Sequence, residues 1–307
     1  MDALKRLVLV PVFFGSVWGG VLHAQDRYPV RRLTSHPAQE GFPSWSPDGR
    51  TIVYSLGIRG DSAWMTGLWM VPAEGGQARQ FTRFIGEHPD WSPDGNYIVF
   101  DADEGNAVRL VAATGGQPIR VVPASIRIFG GGMPNWSPDG SRIAFREGSN
   151  LWVLNVRTGK SAIVFTSQDS TLPLPGCWSS DGNDIHVTVR HARTYAATIW
   201  RVPAKLGERQ QLTFETDRAY RYLDLSPDGT LLAFTACEGR DCDLWVMPAA
   251  GGRAVQLTRD PAYNDTPRWS PDGTKLAFTS TRAGGFDVWV MDVDVEDLRR
   301  AVAAVNR

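Results

Sequence analysis

The chain has 307 residues, with 32 basic and 33 acidic side chains. That length fits one or two domains of ordinary size. The even charge balance gives no basic footprint for nucleic acid or for an anionic membrane surface, and no segment after the leader is long and apolar enough to span a bilayer.

In chain order, residues 1–24 read as a secretory signal peptide. Lys5 and Arg6 form a short positive region, Leu7 to Val21 is mostly apolar, and Ala24 offers a small residue ahead of Gln25. The alternative is a retained anchor, but Pro11 and several glycines break the apolar run, and no Cys near the cut would take a lipid. The mature chain is therefore expected in the periplasm or secreted, with no membrane span.

From there one string recurs six times: Trp45-Ser46-Pro47-Asp48-Gly49, Trp91 to Gly95, Trp136 to Gly140, Trp178-Ser179-Ser180-Asp181-Gly182, Leu225-Ser226-Pro227-Asp228-Gly229 and Trp269 to Gly273. The steps are 46, 45, 42, 47 and 44 residues, a period that marks propeller blades or long solenoid units. Pro presets the second position of a type I turn, Asp suits the third, and Gly accepts the left-handed conformation that closes it. Apolar strand patterns follow each string, as in Thr51-Ile52-Val53-Tyr54-Ser55, so the string is the turn between a first and a second strand.

A third strand follows in each repeat, from Leu68-Trp69-Met70-Val71 to Val288-Trp289-Val290-Met291. Then come a turn such as Glu74-Gly75-Gly76 and a short fourth strand ending in a pair such as Phe81-Thr82 or Leu257-Thr258. Four antiparallel strands per repeat predict an all-β, six-bladed β-propeller over residues 25–294. The sixth repeat lacks its Leu-Thr strand, and a spare one stands at the front as Val30-Arg31-Arg32-Leu33-Thr34. That segment is expected to complete blade six and close the ring. Ten of the 12 Trp fall at the start of the string or in the third strand, where large rings suit packing between blades.

Cys237 and Cys242 flank a four-residue turn and are candidates for a disulfide across facing hairpin positions; Cys177 reads as a small buried filler. After Met291 the repeat ends. Val295, Leu298, Val302 and Val305 share one helical face, so residues 295–307 predict a short helical tail capping one face of the ring, with a docking helix for a partner as the alternative.

Several signals carry no chemistry. Gly159-Lys160-Ser161 lacks the first Gly of a phosphate-binding loop, no G-x-S-x-G elbow occurs, and no His or Cys pair has zinc spacing. No catalytic residue is assigned. The loops from each fourth strand to the next first strand (35–43, 83–89, 123–134, 167–176, 214–222 and 259–266) vary while the blades stay regular, which suits a binding face on a rigid scaffold. Its candidates are His36, Glu40, Glu87, His88, Arg127, Phe129, Arg218, Tyr220, Arg221, Tyr222, Tyr263, Asn264 and Asp265. Pairs such as Gly41-Phe42, Glu87-His88 and Arg221-Tyr222 are placed just ahead of the first strands. Arg, Tyr and Phe with a few acids suit a protein-binding patch. Glu87, His88, Asn264 and Asp265 are the weak candidates for a channel-bound divalent metal such as calcium; no other cofactor is expected.

The unit Pro-x-Trp-Ser-Pro-Asp-Gly, an apolar-x-Phe strand, Asp-x-Trp-Val-Met, Gly-Gly and Gln-Leu-Thr resembles the PD40, or WD40-like, repeat of the TolB propeller. Blade six shows it in Pro267 to Gly273, Leu276-Ala277-Phe278 and Asp287 to Met291, and residues 240–258 supply the remaining parts. The resemblance covers residues 30–292. It implies a periplasmic member of a cell-envelope system that binds an outer-membrane lipoprotein through its propeller, without the α/β domain that precedes the propeller in TolB itself. The expectation is a non-catalytic, monomeric scaffold for a protein or peptide partner in the envelope. The alternatives are a metal-dependent hydrolase or lactonase using the channel, a glycan-binding propeller with Phe42, Phe129, Tyr220, Tyr222 and Tyr263 exposed, and the propeller partner of a prolyl-oligopeptidase-like peptidase on another chain.

Overall fold

The computed structural model describes residues 26–58, 65–84, 86–102, 106–123, 125–126, 128, 131–168, 170–214 and 218–307. The signal-peptide reading of residues 1–24 lies outside the described residues, as do Arg127 and Phe129.

Strand β1 (Val30–Arg32) precedes blade one, which is β2 (Gln39–Trp45), β3 (Thr51–Ile58), β4 (Met65–Pro72) and β5 (Arg79–Gln80). Blade two is β6 (Gly86–Trp91), β7 (Tyr97–Ala102), β8 (Ala107–Ala112) and β9 (Ile119–Arg120). Blade three is β10 (Asn135–Trp136), β11 (Arg142–Glu147), β12 (Asn150–Asn155) and β13 (Ser161–Thr166). Blade four is β14 (Thr171–Trp178), β15 (Asp184–His191), β16 (Ala197–Pro203) and β17 (Gln210–Gln211). Blade five is β18 (Ala219–Leu225), β19 (Leu231–Glu238), β20 (Asp241–Pro248) and β21 (Val255–Gln256). Blade six is β22 (Asn264–Trp269), β23 (Lys275–Ser280) and β24 (Asp287–Asp292), completed by β1. The six antiparallel, four-stranded sheets make the six-bladed propeller that the repeat predicts.

The recurring string folds the same way six times. Its Gly has φ between 67° and 74° at Gly49, Gly95, Gly140, Gly182, Gly229 and Gly273. The Ser, whose role is not evident from turn preferences alone, locks the turn. Ser46 Oγ donates to Asp48 Oδ1 at 2.6 Å and accepts from Thr51 N at 2.9 Å, while Arg50 N donates to the same carboxylate at 3.0 Å. The Ser–Asp bond recurs in the other five blades. Hydrogen bonds from Ser137 and Ser141 hold the Asp139 carboxyl down to about 2.

The two Trp positions behave differently. Trp45, Trp136, Trp178 and Trp269 of the string are buried, and Trp45 Nε1 donates to Arg268 O while Trp178 Nε1 donates to Asn135 O, each on the preceding blade. The third-strand rings Trp69, Trp152, Trp200, Trp245 and Trp289 are only half-buried, and the guanidiniums of Arg209, Arg218 and Arg282 lie over Trp200, Trp245 and Trp289.

The Leu-Thr pair also has a mechanical role. Its Thr hydroxyl accepts a third-strand N–H: Leu68 N to Thr82, Ile199 N to Thr213 and Leu244 N to Thr258. In blade six Val288 N donates to Thr34 Oγ1 at 2.9 Å, so the N-terminal segment does the work of the missing fourth strand. Val30, Arg31 and Arg32 pair with Met291, Val290 and Trp289.

Helix α1 (Val295–Val305) is capped by Asp294, whose side chain accepts from Asp297 N at 2.9 Å. Its Leu298 and Val302 are buried in the core of blades five and six, and Arg299 pairs with Asp228 of a turn string. The helix therefore covers the face on which the strings lie.

His186 is the polar exception between blades. Blades one and two carry Val53 and Val99 at its position, and His186 is buried against the Ala249 backbone of blade five. Burial lowers its pKa from the ordinary 6.5. The folded chain thus resists the proton that the unfolded chain accepts. Its stability contribution is complete above about pH 6.5 and is lost as pH falls through the depressed folded value. H186V is expected to reduce the loss of melting temperature between pH 7.5 and pH 5.5, checked by thermal denaturation at both values.

Candidate functional site

In five of the six blades the innermost strand breaks its ladder at the channel. In β2 the register passes from Gly41 to Ser44, in β6 from Glu87 to Asp90, in β14 from Pro175 to Cys177, in β18 from Arg221 to Asp224 and in β22 from Asp265 to Arg268. Pro43, Pro89 and Pro267 stand in these gaps, where no ladder N–H is needed. In four of these blades the residue at the bulge is forced into the left-handed region, with φ 53° at Phe42, 49° at His88, 52° at Tyr222 and 54° at Thr266, and Met133, just ahead of β10, has φ 48°.

These residues meet in the channel. The Phe42 ring lies 4.1 Å from His88 and 5.7 Å from Tyr222, centroid to centroid, and His88 stacks with Tyr222 at 6.3 Å. Phe42, His88 and Tyr222 come from blades one, two and five, so the three rings plug the channel. The space left beside them is about 20 Å³, enough for about one water. His88 Nδ1 is 3.0 Å from Asp101 Oδ2, and buried Asp101 also accepts from Gly132 N at 2.7 Å and Met133 N at 2.9 Å. A Cβ at Gly132 would stand 2.9 Å from Val108 and 3.1 Å from Asp101, so only Gly lets this loop close onto the carboxylate.

Below the plug, the residue just before each turn string forms a second ring: Ser44, Asp90, Asn135, Cys177, Asp224 and Arg268. Three of them accept an N–H of the following blade: Ser44 from Trp91, Asp90 from Trp136 at 2.8 Å and Asp224 from Trp269 at 2.6 Å. Arg268 Nη1 is 3.4 Å from Asp224 Oδ1. Burial raises both carboxyls, Asp90 to about 6, with the nearby Arg268 opposing the rise. Burial also pushes the Cys177 thiol well up, which makes it inert as a nucleophile. This vestibule, about 310 Å³, opens on the face of the turn strings.

Above the plug is the mouth. Arg221 Nε lies 3.5 Å from Asp265 Oδ1, and its Nη2 reaches Tyr263 Oη and the sulfurs of Cys237 and Cys242 at 2.9 and 3.1 Å. Cys237 and Cys242 form a disulfide at directly paired positions of β19 and β20. The Arg221 guanidinium sits over both Tyr222 and Tyr263, and Tyr263 packs edge-on against Phe286. Beside this cluster a cavity of about 250 Å³ opens between blades one and six. Burial raises the Glu40 carboxyl on its wall to about 7.

Of the residues proposed from sequence, Glu40, Glu87, His88, Arg221, Tyr222, Tyr263 and Asp265 gather around this mouth and plug. They lie within the first strands rather than ahead of them, except Tyr263, because the bulge is part of the ladder. Four others point elsewhere. His36 packs against Trp69 on blade one, and Arg218 lies over Trp245 in a lateral groove beside blade five. Tyr220 is in the core against Phe234. Asn264 is fully buried, held by Ser280 and Arg282. Glu87, His88, Asn264 and Asp265 consequently do not converge as a ligand set, and among the described residues no group of three or more His, Cys, Asp or Glu could hold a metal ion. The ring of Asp90, Asp224 and Arg268 was not among the sequence candidates, although its position before each string is a readable signal.

A family model described as the TolB beta propeller domain matches residues 221–306. The Tol-Pal system protein TolB of Anaeromyxobacter dehalogenans strain 2CP-1 is 37% identical over 137 residues, which cover 41% of this chain and 28% of that protein. The match thus spans little more than a quarter of the relative. Among solved structures, a putative TolB from Agrobacterium tumefaciens aligns with TM-score 0.62 at 18% identity, covering 86% of this chain and 97% of that one. An oligogalacturonate lyase from Vibrio parahaemolyticus aligns with TM-score 0.59 at 14% identity, covering 89% and 97%. At these identities the structural likeness speaks for the fold alone. Six PD40-type strings, six four-stranded blades, the closing N-terminal strand and the sequence match together identify the chain as a TolB-like six-bladed β-propeller built of PD40 repeats.

Proposed function

We propose that the chain is a non-catalytic scaffold of the cell envelope, in the periplasm or secreted, that binds a protein or peptide partner at the mouth above the aromatic plug. The observation that carries this reading is the plug itself. Five non-glycine residues at one level of the channel hold positive φ, a conformation that costs about 1–3 kcal/mol each and persists where surrounding structure enforces it. They present Phe42, His88 and Tyr222 as the floor of a basin rather than a tunnel. Rigid rings and an arginine already held by Asp265 and Tyr263 give a partner contact area at small entropic cost. The family of the relatives, named for the Tol-Pal system, supports an envelope partner.

The test is capture of partners from a cell-envelope extract by the purified chain and by an R221A/Y222A double variant, with bound metal assayed in parallel. A specific envelope protein retained by the chain and lost at least tenfold by the variant is the expected result. Stoichiometric bound metal with a hydrolytic activity abolished by E87A or D265A in the folded protein would overturn the reading.

A further inference from the structure

We propose that the cavity between blades one and six is a recognition pocket for a primary ammonium group, presented by a lysine side chain or by a free alkylamine. Three carboxylates, Glu40, Glu87 and Asp265, and three rings, Phe42, Tyr263 and Phe286, border it, and among the described residues its lining contains no Lys, Arg or His. Carboxylates beside aromatic faces are the chemistry that holds an alkylammonium ion. The volume, about 250 Å³, suits one side chain rather than a drug-sized ligand.

A second observation points to a ligand. Ser55 lines the cavity, its residue surface is 6% exposed, and its hydroxyl has no hydrogen-bond partner among the described residues. Leaving such a group unsatisfied in a buried site is unfavourable. An ammonium carries three donors and no acceptor, so Ser55 Oγ and two carboxylates can satisfy it together.

Among the described residues the charges do not cancel. Asp265 is partly neutralised by Arg221 at 3.5 Å, and Asp287 behind the pocket by Arg32 at 2.9 Å. Among the described residues Glu40 has no cationic partner. Its Oε2 accepts from His36 N at 3.2 Å, and the hydroxyls of Thr34 and Tyr54 bond it. Burial raises its carboxyl to about 7, with Asp287 adding to the rise, and a cation in the cavity opposes both effects.

The space exists because position 41 has no side chain. Gly41 is paired with Ser55, its φ is not positive, and a Cβ there would meet Thr279 Oγ1 at 3.5 Å, an ordinary contact. A larger residue can therefore fill the pocket without backbone strain.

The proposal rests on the scaffold reading only for the source of the amine. Its test is calorimetric titration of the full chain with acetyl-Gly-Lys-Gly-amide, with the norleucine counterpart of equal chain length, and with n-butylammonium chloride. The variants are G41L and E40Q, each checked for an unchanged melting curve. The expected result is saturable binding of the lysine peptide, at least tenfold weaker binding of the norleucine peptide, a tenfold loss in E40Q and no binding in G41L. Comparable or tighter binding of n-butylammonium assigns the pocket to free amines; a lysine peptide that outcompetes it assigns the pocket to a protein side chain. Equal binding of the lysine and norleucine peptides, no saturable binding, or binding unchanged in folded G41L would overturn the proposal. If an envelope partner is captured equally by G41L, the assignment of the pocket to that partner's lysine fails while the scaffold reading stands.

Discussion

Deletion of residues 25–35 is expected to lower the melting temperature by about 10–20 °C. The segment is short, but it closes the ring. It removes β1 from β24 and takes away the Thr34 hydroxyl that receives Val288 N. It exposes the partner surface of buried Leu33, worth about 2 kcal/mol. Asp287, buried to 1% exposure, loses the Arg32 guanidinium at 2.9 Å, and breaking such a pair costs about 3 kcal/mol. Two outer clasps go as well: Asp26 with Arg282 at 2.7 Å, and Arg27 with Asp297 at 2.7 Å. The sum is about 5 kcal/mol or more, and each kcal/mol is about 2–4 °C for a chain of this size. Thermal denaturation by circular dichroism reads the change, and an unaltered midpoint would contradict closure by this strand.

R268M is expected to destabilise the chain by about 3 kcal/mol at pH 8 and by much less at pH 5. Arg268 is the cation of the ring below the plug, 3.4 Å from Asp224 and close enough to Asp90 to hold its carboxyl down. Without it two carboxylates share a low-dielectric channel. Their folded pKa values, already raised by burial above the ordinary 3.8, rise further. A carboxyl with a raised folded pKa binds more protons folded than unfolded, so stability is greatest in acid and is lost as pH rises through the folded value. Urea denaturation of wild type and variant across pH 5–8 measures this. A deficit that is equal at both ends would show that Arg268 acts by packing rather than by charge.

The blades were legible because each repeat carries its own turn chemistry. Pro, Asp and Gly in the string specify one turn conformation, and the strands on either side follow from alternation. Even closure was readable, because Val30 to Thr34 has the pattern of a fourth strand in the wrong place along the chain. The candidate site was less so. That Glu87, Arg221, Tyr222 and Asp265 gather at one mouth follows from loop topology, yet Tyr220 and Asn264, one or two residues from them, are buried in the blades. A one-residue change along a strand reverses the side-chain direction, and the bulges at Phe42, His88 and Tyr222 shift that register locally. Contact between Phe42 and Tyr222, from blades one and five, depends on ring closure and leaves no mark on either segment. The Ser55 hydroxyl and the bare Gly41 opposite it gain their meaning only once blade six stands beside blade one.

The most direct measurement of the central claim is site-specific photo-crosslinking in intact cells. A photoreactive phenylalanine analogue is placed at Tyr263 or Glu87 at the mouth, and at Asn183 or Ser141 beside the turn strings on the opposite face. A discrete crosslink to one envelope protein from the mouth positions, absent from the opposite face, is the result this account predicts. Crosslinks that arise only from the turn-string face, or equally from both, would contradict it.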